Sequence, residues 1–203
     1  MRKDMTIGNP MKIILSFTLP IFIGNVFQQF YNMMDTIIVG KFLGVSALAS
    51  VGATGSINFM IIGFCMGVCN GFSIPVAQKF GAKDESGLRR FVANSVWLSV
   101  IFAAVMTVVV CILCRQILIW MDTPANILEG SYRYIFVIFL GIPVTYLYNL
   151  LSGIMRALGD SKTPLIFLIL SSVLNILFDL GAILILHMGV AGAAWATVTA
   201  QAI

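Results

Sequence analysis

Long apolar runs separated by short polar turns set the rhythm of this chain. Six runs stand out, over residues 13–39, 47–76, 91–114, 134–155, 165–186 and 190–203. A helix crosses a hydrocarbon core in about 20 residues, and the first five runs meet that length. The sixth has only fourteen residues, below the roughly 17 needed to span. The pattern therefore predicts an all-α, polytopic membrane helix bundle of about six transmembrane helices, the last one truncated.

Local signals refine the helices. Pro20 and Gly24 fall in the first half of helix 1, where a proline removes a backbone hydrogen bond and bends the helix. Gly52, Gly55, Gly63, Gly67 and Gly71 line helix 2, the small-residue pattern that lets helices approach closely in lipid. Pro143 is expected to interrupt helix 4, and Pro124 and Pro164 are expected at the first positions of new helical segments. Lys41 to Gly44 reads as a short turn.

The polar residues inside the apolar runs are few and patterned. Asn25, Gln28, Asn32 and Asp35 recur at near-helical spacing in helix 1 and form one stripe. Thr145, Tyr148, Asn149 and Ser152 share a face of helix 4. Asn175 and Asp179 lie four apart in helix 5, again on one face. Of the 8 acids only Asp35 and Asp179 fall within spans. A carboxylate at mid-membrane costs about 2.5–3.5 kcal/mol on insertion scales, so such residues face a bundle interior or a wet cavity. Both helices run in the same direction, and the two acids are expected at comparable depth. Two acids meeting there cannot both stay charged without a positive partner, which is the chemistry of loading and releasing a proton or a small cation.

Composition narrows the class further. Charged residues make up 10% and the mean hydropathy is +1.01, far from the roughly 25% charged of a soluble domain. The net charge of +4 would otherwise point toward nucleic acid, but the basic residues sit in loops between apolar runs. Arg2, Lys3, Lys12, Lys79, Lys83, Arg89, Arg90, Arg156 and Lys162 fall on one side and Lys41, Arg115 and Arg133 on the other. That bias places the N-terminus in the cytoplasm and leaves no expected nucleic-acid partner; the expected surroundings are membrane lipid. Met1, Arg2 and Lys3 precede a run too long and too polar for a cleavable signal, so it reads as the first span. Cys111 and Cys114 are spaced as a redox or zinc pair, but no second pair or nearby histidine accompanies them, so no metal site is expected.

Three stretches carry a resemblance. Pro75-Val76-Ala77-Gln78-Lys79-Phe80-Gly81-Ala82-Lys83-Asp84 resembles the VAQ-x-x-GA motif of multidrug and toxic compound extrusion (MATE) transporters. The stretch from Leu151 through Arg156, Gly159 and Asp160 to Pro164 resembles that family's second cytoplasmic motif, and Asp35 to Gly44 is similar as well. The resemblance implies one six-helix N-terminal lobe, residues 1–203, of a two-lobed transporter, with the C-terminal lobe missing. It implies export of small cationic, amphipathic drugs across the plasma membrane by alternating access, in exchange for H+ or Na+, with no cofactor and no enzymatic activity. It also implies a cation or proton site at Asp35, Asn175 and Asp179, joined by Asn149, Thr197 and a tyrosine: Tyr134, with Tyr132 as its rival. Asn25, Gln28 and Asn32 would line the cavity.

Other classes fit less well. A lipid-linked oligosaccharide flippase of related architecture would need several cations for phosphate headgroups, and no Lys or Arg lies mid-span. An intramembrane hydrolase using two aspartates lacks a further catalytic motif. A non-transporting structural subunit leaves the two costly acids without a purpose.

Overall fold

A computed structural model describes residues 9–203; Arg2 and Lys3, counted above in the charge bias, lie outside the described residues. The described chain is helical throughout, with no strand. Its elements are α1 (Pro10–Leu43), α2 (Val45–Gly81), α3 (Glu85–Trp120), α4 (Ala125–Leu140), α5 (Ile142–Ala157), α6 (Lys162–Leu180) and α7 (Gly189–Ala202). Four single helices are long and apolar enough to cross a membrane, and α4 with α5 forms a fifth span bent by 47°. Helix α7 has 14 residues, about 21 Å at the usual rise.

The turns explain much of the layout. Gly44 alone joins α1 to α2, with a φ of 84°, a left-handed value that favours glycine. The turns after α2, α3 and α5 share one design. A residue with positive φ closes each: Lys83, Asp122 and Gly159. In each, the following N–H reaches back five residues: Asp84 to the Lys79 carbonyl (3.1 Å), Thr123 to Leu118 (3.2 Å) and Asp160 to Met155 (2.9 Å). This is the Schellman closure of a helix end. Two of these turns then use an aspartate to start the next helix. Asp84 Oδ1 accepts from the Gly87 N–H (2.9 Å), and Asp160 Oδ1 accepts from the Lys162 and Thr163 N–H groups (3.1 Å each). The motif residues around 79–84 and 156–164 therefore have a structural role in stopping one helix and starting another.

Several boundaries differ from the pattern reading. Helix α3 starts earlier, at Glu85, and runs on to Trp120 rather than ending near residue 114. Pro124 stands just before α4 rather than at its first position, and α6 begins at Lys162, two residues ahead of Pro164. The break in the fourth span falls at Gly141, ahead of Pro143, which sits at the start of α5. The reason is that a proline clashes with the carbonyl four residues before it, so the helix yields upstream. Gly141 is the residue that tolerates the close approach there, because a Cβ on it would lie 2.3 Å from Val198 Cγ2 of α7. Helix α1 continues unbroken through Pro20.

Helix α2 packs on α4 and α5, α1 on α6, and α7 on α4 and α6. Small residues set the α2 contacts: an added Cβ at Gly130 would meet Ser50 Oγ at 2.5 Å, and one at Gly153 would meet Ser73 Oγ at 2.4 Å. Phe139, Ile135, Ile142, Leu150, Leu118, Val39 and Val76 form the fully enclosed apolar core. Helix α3 shows how the outer face is made. Its buried positions, Ser95, Ser99, Ala103, Val110, Cys114 and Leu118, follow one helical stripe, whereas Trp97, Ile101, Val105, Val108 and Ile112 are exposed. An apolar surface of that extent suits lipid rather than water.

Candidate functional site

Helices α1 and α6 lie side by side and bring their two acids together. Asp35 and Asp179 adjoin each other, and Tyr134 of α4 stands beside Asp35. Both acids are buried, with Asp179 at 0% exposure and Asp35 at 7%. Asn175, also fully buried, links α6 to α7. In the orientation that satisfies both ends of its amide, its nitrogen donates to Asp179 Oδ2 (3.1 Å). Its oxygen then accepts from the Thr197 backbone N–H (3.2 Å) and hydroxyl (3.3 Å). Asp35 Oδ1, Asp179 Oδ1 and the Tyr31 hydroxyl have no hydrogen-bond partner. Two of these buried oxygens belong to acids that adjoin each other, so the pair lacks donors for its charged form. Such a pair needs a positive charge to be stable in a dry interior.

Directly after Asp179 the helix widens. Residues Gly181–Ile185 form one π turn, closed by Leu186 N–H to the Gly181 carbonyl at 3.1 Å. Such wide turns recur at functional sites because they re-aim side chains. Here it ends α6 just beyond the buried acid.

Asp35 opens onto a cavity of about 370 Å³ lined also by Gln28, Tyr31, Asn32, Asn58, Tyr134, Asn149, Thr197 and Gln201. The structure thus gathers Asp35, Asn175, Asp179, Thr197 and Tyr134 into one cluster. Tyr132 stacks on Phe136 instead, ring centroids 5.5 Å apart, and lines no part of this cavity. Asn149 lines the cavity, but its amide donates to the Thr145 carbonyl of its own helix (2.7 Å). Asn32 donates to Gln29 (3.3 Å). Asn25 lies farther along the stripe, in a neighbouring cavity that it shares with Gln28.

Three participants were not singled out from the pattern. Tyr31 precedes Asp35 by four residues and so shares its face. Gln201 follows Thr197 by four, and its side-chain oxygen accepts from the Thr145 hydroxyl (2.7 Å). Arg156, in the last turn of α5, lines the neighbouring cavity. For the first two, the i, i+4 spacing was a usable signal; for Arg156 only the fold reveals its direction.

The MatE family profile matches residues 20–180, most of the chain and all of α2 through α5. The chain belongs to the MatE family. The probable multidrug resistance protein YoeA of Bacillus subtilis is 35% identical over 188 residues, covering 90% of this MatE chain. The chain spans 40% of that relative's length. Among solved structures, a MOP superfamily transporter from Pyrococcus furiosus superposes with a TM-score of 0.89 at 31% identity, over 96% of this chain and 43% of that one. A multidrug resistance MATE family transporter in the outward-facing conformation gives 0.89 at 30% identity, over 96% and 43%. This MatE chain is thus a multi-pass membrane protein with the MATE transporter fold over less than half of such a transporter's length.

Proposed function

We propose that this chain is the ion-binding N-terminal lobe of an exporter that exchanges protons or sodium for amphipathic cationic compounds across the plasma membrane. The observation that carries the reading is the meeting of Asp35 and Asp179 beside an open cavity. Two acids on neighbouring helices repel unless a proton or cation lies between them. Binding the ion therefore draws α1 and α6 together, and release lets them part. In a two-lobed exporter with alternating access, that change in one lobe alters the cavity that faces the other. Asn175 of α6 holds Asp179 and is itself held by Thr197 of α7, so the response is shared by three helices. The names of relatives such as YoeA, a probable multidrug resistance protein, support the export of small molecules. The loop charges support a cytoplasmic N-terminus. A flippase would call for several cations along the cleft, whereas the cavity that holds Asp35 is lined by none among the described residues.

The test is transport by the complete transporter in liposomes, with sodium and pH gradients imposed separately. Export of a cationic dye driven by one of the two gradients, and lost in Asp35→Asn, is expected. Equal export by wild type and Asp35→Asn would overturn the reading.

A further inference from the structure

We propose that Arg156 forms an oxyanion-recognition point for the transported compound, so that the substrate class extends to molecules bearing a carboxylate or phosphate. The inference rests on the export reading above and names a substrate class for it. A cavity of about 240 Å³ adjoins the one that holds Asp35, and the two share Gln28, Met66, Tyr148 and Asn149. Among the described residues Arg156 is its one charged lining residue; Tyr148, Ser152, Ser161, Asn25 and Asn70 supply further polar groups, and none of the described acids lines it. Along α1, Asn25 and Asp35 lie ten residues apart, which is roughly 15 Å. One cleft thus carries acid toward one end and guanidinium toward the other.

Arg156 is oriented but not neutralised. Its Nε donates to the Ser152 carbonyl at 3.2 Å, and Tyr148 and Ser152 line the same cavity. Among the described residues it forms no ion pair; the two ion pairs are Lys79–Asp84 and Arg133–Glu129. The two matching turns make the contrast plain. In the turn after α2 the basic residue, Lys79, pairs with the aspartate that starts the next helix, at 2.9 Å. In the turn after α5 the corresponding aspartate, Asp160, is taken up by Lys162 and Thr163, including the Thr163 hydroxyl at 2.7 Å. The basic residue there has moved one position along the helix and turned into the cavity. A planar guanidinium in a partly buried, donor-rich cleft is matched by a two-oxygen anion.

Rhodamine 110, with a free carboxylate, and rhodamine 123, its methyl ester, differ at that one group. Binding of each is measured by fluorescence anisotropy on the complete transporter in neutral-lipid nanodiscs, for wild type, Arg156→Gln and Arg156→Lys. Wild type should prefer rhodamine 110. Arg156→Gln should weaken rhodamine 110 about tenfold, the scale of a charge-assisted hydrogen bond, and shift rhodamine 123 less than about twofold; Arg156→Lys should restore part of the loss. Equal losses for both dyes, or no loss for either, would overturn the inference. Nanodiscs containing phosphatidylglycerol test the rival source of the anion. Should they weaken rhodamine 110 binding to wild type but not to Arg156→Gln, the lipid headgroup is the ligand and the substrate assignment falls. Arg156-dependent binding with no movement of either dye under any gradient would leave this inference standing and overturn the export reading alone.

Discussion

Replacing Asp179 with asparagine should make the protein more stable and inactive at once, and that pairing of signs is diagnostic. Asp179 is fully buried, and its carboxyl adjoins the Asp35 carboxyl. Two unit charges about 4 Å apart repel by about 4 kcal/mol at an effective dielectric near 20. That is an upper bound, since a shared proton or a bound cation removes the repulsion. Asparagine has almost the same shape. Its oxygen can still accept from Asn175, as Asp179 Oδ2 does at 3.1 Å, and its nitrogen can donate to Asp35. Repulsion is exchanged for a hydrogen bond worth about 1 kcal/mol. Thermal unfolding of the complete transporter in detergent, in sodium-free buffer at pH 8, should show Asp179→Asn melting a few degrees above wild type. Lowering the pH or adding sodium should raise wild type toward the variant and leave the variant almost unmoved. Ion-driven efflux by the variant should be absent. A variant that melts below wild type in every buffer, or that responds to pH and sodium as wild type does, would refute the argument that the two acids share a positive charge.

Three further outcomes follow from other parts of the fold. Gly141→Val should lower the melting temperature through overpacking of about 1–3 kcal/mol, because a Cβ there lies 2.3 Å from Val198 Cγ2; it should also weaken sodium or proton coupling, since Val198 adjoins Thr197. The Asp84 carboxyl is held down at about 2, first by the Gly87 N–H and then by Lys79. A carboxylate held low stabilises the fold above its unfolded value and loses that effect as pH falls toward 2. The melting difference between wild type and Asp84→Asn should therefore be flat from pH 7 to about 5 and shrink below about 4. Expression of the 203 residues alone should confer no drug resistance on a sensitive host, measured as an unchanged inhibitory concentration; resistance from this chain alone would contradict the two-lobed mechanism.

The features legible in the sequence are those that lipid enforces. An apolar run of span length has one reading because an unpaired backbone is too costly in hydrocarbon. A buried acid likewise has few tolerable places, so the stripes holding Asp35 and Asp179 could be aimed at one another before any coordinates. Tyr134 over Tyr132 could not be chosen that way. They lie two residues apart on different faces of α4, and only packing against α1 decides which one meets Asp35. Pro143 marks the fourth span's break in the sequence, but the residue that gives way is Gly141, whose lack of a Cβ lets Val198, more than fifty residues on, pack against it.

Arg156 shows the same limit from the other side. Charge counting treats it, like Lys79, only as a loop charge, and Lys79 closes its own turn on Asp84. The two turns share a backbone, with a positive-φ residue, a five-residue return bond and an aspartate starting the next helix. Aligned on that backbone, Arg156 matches Phe80 rather than Lys79. One position along a helix is a rotation of about 100°, enough to carry a cation from its capping aspartate to the wall of the cleft. No hydropathy profile registers a one-residue offset between two basic loop residues. The fold does, and it turns one charge of a topological signal into a candidate for recognition.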